Sequence, residues 1–343
     1  MKKYLFQLPI LLLLALTVKP ASAQTIVPLS CLDSIPAWMQ QHHVPVIAAS
    51  ILEDGKIKQT KSFGNLENGA VASLNTLFNV ASLTKPITAL TVLKLVDAGK
   101  WSLDEPLDKY WIDPDVKDDP RYKKLTTRIV LSHQTGFPNW RSGKLVFMFE
   151  PGTKYSYSGE GFEYLRHALE HKFNRTLQQL AYSVLFKPLD MKDTHYGWSK
   201  QMDSTRFADP HDKNGALIKM TKNTAIISAD WLVTTIGDYS KFAQSVLNQK
   251  ALSQKLFAQM VTPQVQMEGK PKENMGLGWE VMTPLENGEY LIMHTGSDDG
   301  VKTLIILLPQ SKRGIILFTN GNNGFDIIIK TIREAFHIKE LAQ

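Results

Sequence analysis

Leu77-Phe78-Asn79-Val80-Ala81-Ser82-Leu83-Thr84-Lys85-Pro86 is the stretch on which the reading of this 343-residue chain turns. It runs into an apolar segment from Ile87 to Ala98 that ends at Gly99, the pattern of a buried helix with a glycine stop. A serine and a lysine three apart lie on one helix face, so the Lys85 ammonium can approach the Ser82 hydroxyl. A helix N-terminus also carries unpaired N–H groups and positive field, which favour an oxyanion. Pro86 is tolerated there because first-turn N–H groups lack intrahelical partners. Taken alone, the spacing better suits a capping serine followed by a solvated lysine.

Outward from this helix the chain changes character. Val46 to Leu52 is a short apolar run closed by the turn Glu53-Asp54-Gly55. Near the other end, Tyr290 to His294, Thr303 to Leu308 and Gly314 to Thr319 are short apolar segments separated by Gly, Pro, Asp and Ser. Between them lie amphipathic helical patterns over Phe162 to Lys172 and Asp238 to Leu247. Asn174-Arg175-Thr176 formally matches a glycosylation acceptor but reads as a turn entering a helix. The expected fold is therefore α/β of the α+β kind. An antiparallel sheet is built from both chain ends, about 44–75 and 275–340, and a mainly helical lobe, about 100–270, is inserted between them. A cleft between sheet and lobe is the natural place for a site.

Composition bounds the function. Lys2 and Lys3, the apolar stretch Leu5 to Leu16 and the small-x-small step Ala21-Ser22-Ala23 read as an export signal cleaved after residue 23. The stretch is shorter than the ~20 apolar residues that cross a bilayer, and no later segment spans. Residues 24–343 then form a single domain of 320 residues, exported to the periplasm or secreted. Removing the signal takes away three lysines and lowers the net charge from +6 to +3, which gives no nucleic-acid patch. Cys31 is the only cysteine, so an internal disulfide is excluded, and Pro28-Leu29-Ser30 is a poor lipid-attachment context. The nine histidines form no metal-binding motif.

A series of further segments gives the Ser82 stretch its context. Leu103-Asp104-Glu105-Pro106-Leu107-Asp108-Lys109-Tyr110, Leu131-Ser132-His133-Gln134-Thr135-Gly136-Phe137-Pro138 and Phe186-Lys187-Pro188-Leu189-Asp190-Met191-Lys192-Asp193-Thr194 follow it in order. Gly276-Leu277-Gly278-Trp279 and Thr319-Asn320-Gly321 complete the series. From Val44 to Asn320 the chain resembles the serine β-lactamase and penicillin-binding superfamily. The resembling branch holds class C β-lactamases, D-alanyl-D-alanine carboxypeptidases and related esterases.

The resemblance implies roles residue by residue. Ser82 is the expected covalent nucleophile and Lys85 its partner. In Pro151-Gly152-Thr153-Lys154-Tyr155-Ser156-Tyr157-Ser158-Gly159, Tyr157 matches the tyrosine of the branch's Tyr-x-Asn element, with Tyr155 the rival. Gly159 replaces the Asn, which usually holds an amide of the substrate, so substrate choice is what its loss affects. His294-Thr295-Gly296 stands where the branch has Lys-Thr-Gly or a variant, and implies a substrate-binding strand edge. The backbone N–H groups of Ser82 and Ser297 are the implied oxyanion hole. A histidine at position 294 would titrate near 6.5 unless shifted, so carboxylate binding is expected to weaken above neutrality. His133 has a structural counterpart in the family. Trp140 and Trp279 line the cleft or pack, and Glu160 is read as a solvated loop acid, with partial replacement of the Asn as the other reading.

The expected activity is a serine hydrolase that acts through an acyl-enzyme on amides of D-amino-acid or cell-wall-like peptides or on β-lactams, without a cofactor. A carboxylesterase is the alternative, and a non-catalytic penicillin binder or sensor is disfavoured by Ser82, Lys85 and Tyr157. Expected partners are a small-molecule or peptide substrate and the cell wall; the oligomeric state is left open.

Overall fold

The computed structural model describes residues 27–285 and 287–336, so the segment read as an export signal lies outside the described residues. β1 (Val46–Glu53) is joined to β2 (Lys56–Gly64) by Asp54-Gly55, both with positive φ, as a two-residue hairpin turn requires. β3 (Phe78–Asn79), β4 (His195–Tyr196) and β5 (Leu232–Thr234) form a small sheet in the order β3-β5-β4. The later strands are β6 (Val265–Gln266), β7 (Glu273–Met275), β8 (Glu280–Met282), β9 (Leu291–Asp298), β10 (Val301–Leu308) and β11 (Arg313–Thr319). They join the first hairpin in an eight-stranded antiparallel sheet ordered β2-β1-β11-β10-β9-β8-β7-β6. β1 lies directly beside β11, in register from Ile47↔Thr319 to Leu52↔Gly314, so both ends of the chain close one sheet.

The helices are α1 (Ile35–His42), α2 (Thr84–Asp97), α3 (Thr127–Leu131), α4 (Gly159–Phe173), α5 (Leu177–Ala181), α6 (Ile236–Leu247), α7 (Gln254–Val261) and α8 (Gly324–Phe336). The central strands lack polar alternation because both sheet faces are covered. Ile47, Ala49, Ile51, Leu304, Ile306 and Leu317 pack with Ile327, Ile328 and Ile332 of α8. Ala48, Ile305, Leu307, Ile316 and Phe318 face the opposite way, against α2 and α6. α6 lies within the interval read as the helical lobe, yet it packs on β1, β2, β10 and β11. Among the described residues no helix is long and apolar enough to cross a membrane.

Two local details bear on the sequence reading. Asn174 ends α4 in the left-handed conformation and Thr176 caps α5 in a reciprocal pair with Gln179, so Asn174-Arg175-Thr176 is a turn between helices. β9 does not stop at His294 but runs to Asp298, paired with β10 as far as Asp298↔Val301. His294, Thr295 and Gly296 are therefore mid-strand. β8 covers β9 only over Leu291–Met293, which leaves the flank of the following residues open on that side.

Candidate active site

Ser82 sits in a 3-10 turn, Ala81–Leu83, immediately ahead of α2, and Ala81 has φ +48°. A left-handed alanine costs about 1–2 kcal/mol and needs external support. Asn79 Oδ1 accepts from Ala81 N at 2.9 Å, and Thr84 Oγ1 donates to Ala81 O at 2.6 Å. Thr303 Oγ1 of β10 donates to Val80 O at 2.9 Å, and Val80 N donates to Leu232 O at 3.0 Å. The turn is thus pinned from both sheets. β9 approaches it closely at Gly296, where a Cβ would stand 2.5 Å from Val80 O and 3.3 Å from Ala81 Cβ.

Lys85 is buried, and its Nζ donates to Ser82 Oγ at 3.1 Å and to Ala229 O at 2.9 Å. Burial lowers its pKa from 10.5 to about 7, against the opposing pull of Asp230, Asp298 and Glu163. The same Nζ lies 4.5 Å from the centre of the Tyr157 ring. Burial pushes the Tyr157 phenol above the usual range, against the opposing pull of Ser82. Ser82, Lys85 and Tyr157 are brought together as the sequence reading requires. Tyr155 packs edge-on against His133, with ring centres 6.1 Å apart.

His133 stacks on Tyr157 at 4.4 Å, and its Nδ1 accepts from Ser158 N at 3.0 Å, so it braces the Tyr157 segment. His294 lies on the strand face that looks at the nucleophile turn, with its ring 6.2 Å from Tyr157. Its Nδ1 donates to Thr295 O at 2.7 Å, since a carbonyl can only accept. Burial and the Lys85 charge push its pKa down to about 3. The expectation of a histidine titrating near 6.5 is thereby corrected: His294 is neutral across the working range, and Nε2 is a buried acceptor without a partner.

Gly159 caps this end of the site. A Cβ there would stand 2.8 Å from Trp140 Cη2 and 2.9 Å from Asn139 O. The indole thus occupies the space that a side chain at position 159 would need. Trp140 is partly solvent-exposed at 44%, whereas Trp279 is fully buried and stacks on Phe242. Glu160 is neither solvated nor free for substrate: it is buried and held by Arg141, whose N and Nε lie 3.0 and 2.8 Å from its carboxylate.

The sequence reading missed the segment Ser228–Leu232. Glu163 accepts from Ser228 N and Oγ, Thr88 Oγ1 donates to Ser228 O, and Thr84 Oγ1 accepts from Leu232 N. These bonds deliver Ala229 O to Lys85 and place Asp230 beside it. Burial and then the neighbouring Asp298 charge push the Asp230 pKa up from 3.8 to about 7, and Asn79 Nδ2 donates to Asp298 Oδ2 at 2.9 Å. Glu280 adds another buried carboxyl, raised from 4.5 to about 7 by burial, whose charge acts on Tyr157 and Tyr155.

The sequence model of the family described as Beta-lactamase matches residues 33–336. The chain belongs to this family. Among relatives of this beta-lactamase family chain, protein flp of Staphylococcus aureus (strain MW2) is 23% identical over 319 residues, covering 84% of the chain. The chain spans only 62% of that relative's length. D-alanyl-D-alanine-carboxypeptidase/endopeptidase AmpH of Escherichia coli K12 is 27% identical over 331 residues, with 82% of the chain and 83% of AmpH covered. In fold, the chain resembles the octameric penicillin-binding protein homologue from Pyrococcus abyssi, with TM-score 0.77, 22% identity and coverage of 89% and 75%. It also resembles the D-alanine carboxypeptidase AmpC from Burkholderia cenocepacia, with TM-score 0.73, 21% identity and coverage of 89% and 97%.

Proposed function

We propose that this serine hydrolase of the beta-lactamase family cleaves amide bonds of D-amino-acid or cell-wall-like peptides, or of β-lactams, through an acyl-enzyme on Ser82. The observation that carries the reading is the buried Lys85 Nζ, 3.1 Å from Ser82 Oγ and under the Tyr157 ring. Lys85 and Tyr157 act as one unit: they take the proton from Ser82 as Oγ bonds to the carbonyl carbon, and they return it to the leaving group. The N–H groups of Ser82 and Ser297 receive the oxyanion. Water then releases the acyl group and restores Ser82. His294-Thr295-Gly296 offers the open strand flank along which an extended substrate lies. Export by cleavage after residue 23 places the enzyme in the periplasm or outside the cell.

A carboxylesterase is the second reading, supported by Gly159 and the Trp140 ring that occupies the space beside it. The experiment compares a chromogenic cephalosporin, a short-chain nitrophenyl ester and a D-Ala-D-Ala peptide, each with the wild type and Ser82→Ala. Turnover that Ser82→Ala abolishes supports acyl transfer, and the preferred substrate selects between the readings. No turnover of any of the three and no covalent labelling by a tagged penicillin would overturn the enzymatic reading.

A further inference from the structure

Two features beside Tyr157 have no part in the acyl transfer itself. The first is the free edge of His294. This residue alternates with Gly296 on the face of β9 that lies against the nucleophile turn. Its Nδ1–H is spent on Thr295 O at 2.7 Å, so the ring is tied to its own strand and the opposite edge, with Nε2, points away from it. The residue is 1% exposed, and Nε2 has no partner. A buried polar atom left unpaired is costly, and a ligand N–H would satisfy it. The Tyr157 ring, from which the leaving group takes its proton, is 6.2 Å away. A substrate carboxylate here would bring only acceptors to an acceptor.

The second feature is a cavity of about 640 Å³ lined by Lys154, Tyr155, Gln266, Met267 and Pro271 among others. Tyr155 stands edge-on to His133 at 6.1 Å, and His133 stacks on Tyr157 at 4.4 Å. Three rings in contact therefore lead from the cavity wall to the phenol that serves the leaving group. The sheet register gives the same placement. Val265 pairs with Met275, Met275 with Glu280, and Glu280 with Met293, the residue before His294. Three strand spacings put that wall about 14 Å from β9. An extended chain covers this distance in about four residues.

We propose that the leaving part of the substrate is uncharged, donates an N–H to His294 Nε2 and continues as an extended chain into the Tyr155 cavity. The substrate is then a peptide cut within its chain, not one that ends in a free carboxylate one residue past the scissile bond. The proposal rests on the acyl-transfer reading above. Ser82 Oγ bonds to the carbonyl carbon, the C–N bond breaks, and the amine departs with the proton handed on by Tyr157. Water then frees the acyl part and restores Ser82.

The experiment measures kcat/KM at pH 7 for scission between the two alanines of N-acetyl-D-Ala-D-Ala, supplied as free acid, methyl ester and primary amide. The same peptide extended by three glycines to an amide and a neutral nitrophenyl ester are run alongside, with products identified by mass. The short amide is expected to exceed both the acid and the methyl ester by about tenfold or more, and the extended amide to exceed the short one. His294→Lys, which puts a donor in place of the acceptor, should shrink the amide-to-acid ratio. Gln266→Trp, which fills the cavity, should shrink the extended-to-short ratio. The substrate series is read on the wild type, so a variant that fails to fold does not remove the test. An acid or methyl ester cleaved as well as the amide overturns the proposal, and so does an extended amide no better than the short one. Turnover of the nitrophenyl ester with none of the peptides cleaved overturns it alone. Failure of every substrate, together with wild type indistinguishable from Ser82→Ala, overturns the acyl-transfer reading with it.

Discussion

Gly296→Ala tests how closely β9 must lie against the nucleophile turn. The added Cβ would stand 2.2 Å from Thr303 Oγ1 and 2.5 Å from the backbone oxygen of Val80, whereas ordinary contact begins near 3.4 Å, so strand and turn must separate by about an ångström. Val80 O is itself held by Thr303 Oγ1 and Leu83 N, so it has little freedom to yield. Overpacking of this kind costs about 1–3 kcal/mol of stability. Activity should fall further, because Ser297, the next residue along β9, moves with the strand. Misplacement by about an ångström costs on the order of 100-fold. Gly237→Ala is the control: its Cβ meets only Thr235 Oγ1 at 3.8 Å in α6, and it should be neutral or stabilising by up to about 1 kcal/mol. Hydrolysis of the best substrate and thermal unfolding would be followed for both. If Gly296→Ala retained full kcat/KM, β9 and Ser82 would not form one catalytic surface.

Three other outcomes follow from particular contacts. Gly159→Asn should lower stability by about 1–3 kcal/mol and reduce turnover, and Trp140→Ala in the same chain should relieve much of the stability loss, a coupling read by a double-mutant cycle in thermal melts. kcat/KM should rise with pH through about 7 and then level, as Lys85 loses its proton, while KM for a carboxylate-bearing substrate stays flat from pH 5.5 to 8.5 because His294 is already neutral. Glu280, raised from 4.5 to about 7, is protonated in the folded chain where the unfolded chain has lost the proton. Its contribution therefore falls as pH rises from about 4.5 to 7, by about 3 kcal/mol at most, and Glu280→Gln should raise the melting temperature at pH 8 but little at pH 4.5.

The sheet could be read from the sequence because its signal is local. Val46 to Leu52 and the last three long strands are apolar runs bounded by turn residues, and Asp54-Gly55 forms the two-residue turn that its composition suggests. Ser82 and Lys85 were legible for the same reason, three residues apart on one short segment. Ala229 and Asp230 were not. Their segment has no periodicity, and its position is set by hydrogen bonds to Glu163, Thr84 and Thr88, each far away in sequence. Gly159 showed that a side chain was missing, but only the fold shows Trp140 in its place. The charge of His294 was misjudged because burial and the field of Lys85 are tertiary effects.

That correction narrows how the proposed proton transfer runs. A tyrosine serves as base only if cations hold its phenolate, and of the groups packed around Tyr157 both His133 and His294 are kept neutral by burial. Glu280 and Asp230 act on the phenol in the opposite sense, and burial adds to them. Lys85 is the basic group of this set, and its two protonation states are balanced near neutrality. On the proposed mechanism Lys85 therefore takes the Ser82 proton, and Tyr157 passes it on as a phenol without ever losing its own charge neutrality. A Tyr157→Phe variant should then slow the step that expels a poor leaving group more than the step that acylates Ser82 with a good one. Amide substrates should lose more than nitrophenyl esters, by on the order of tenfold or more. Equal losses on both would return the basic role to the phenol.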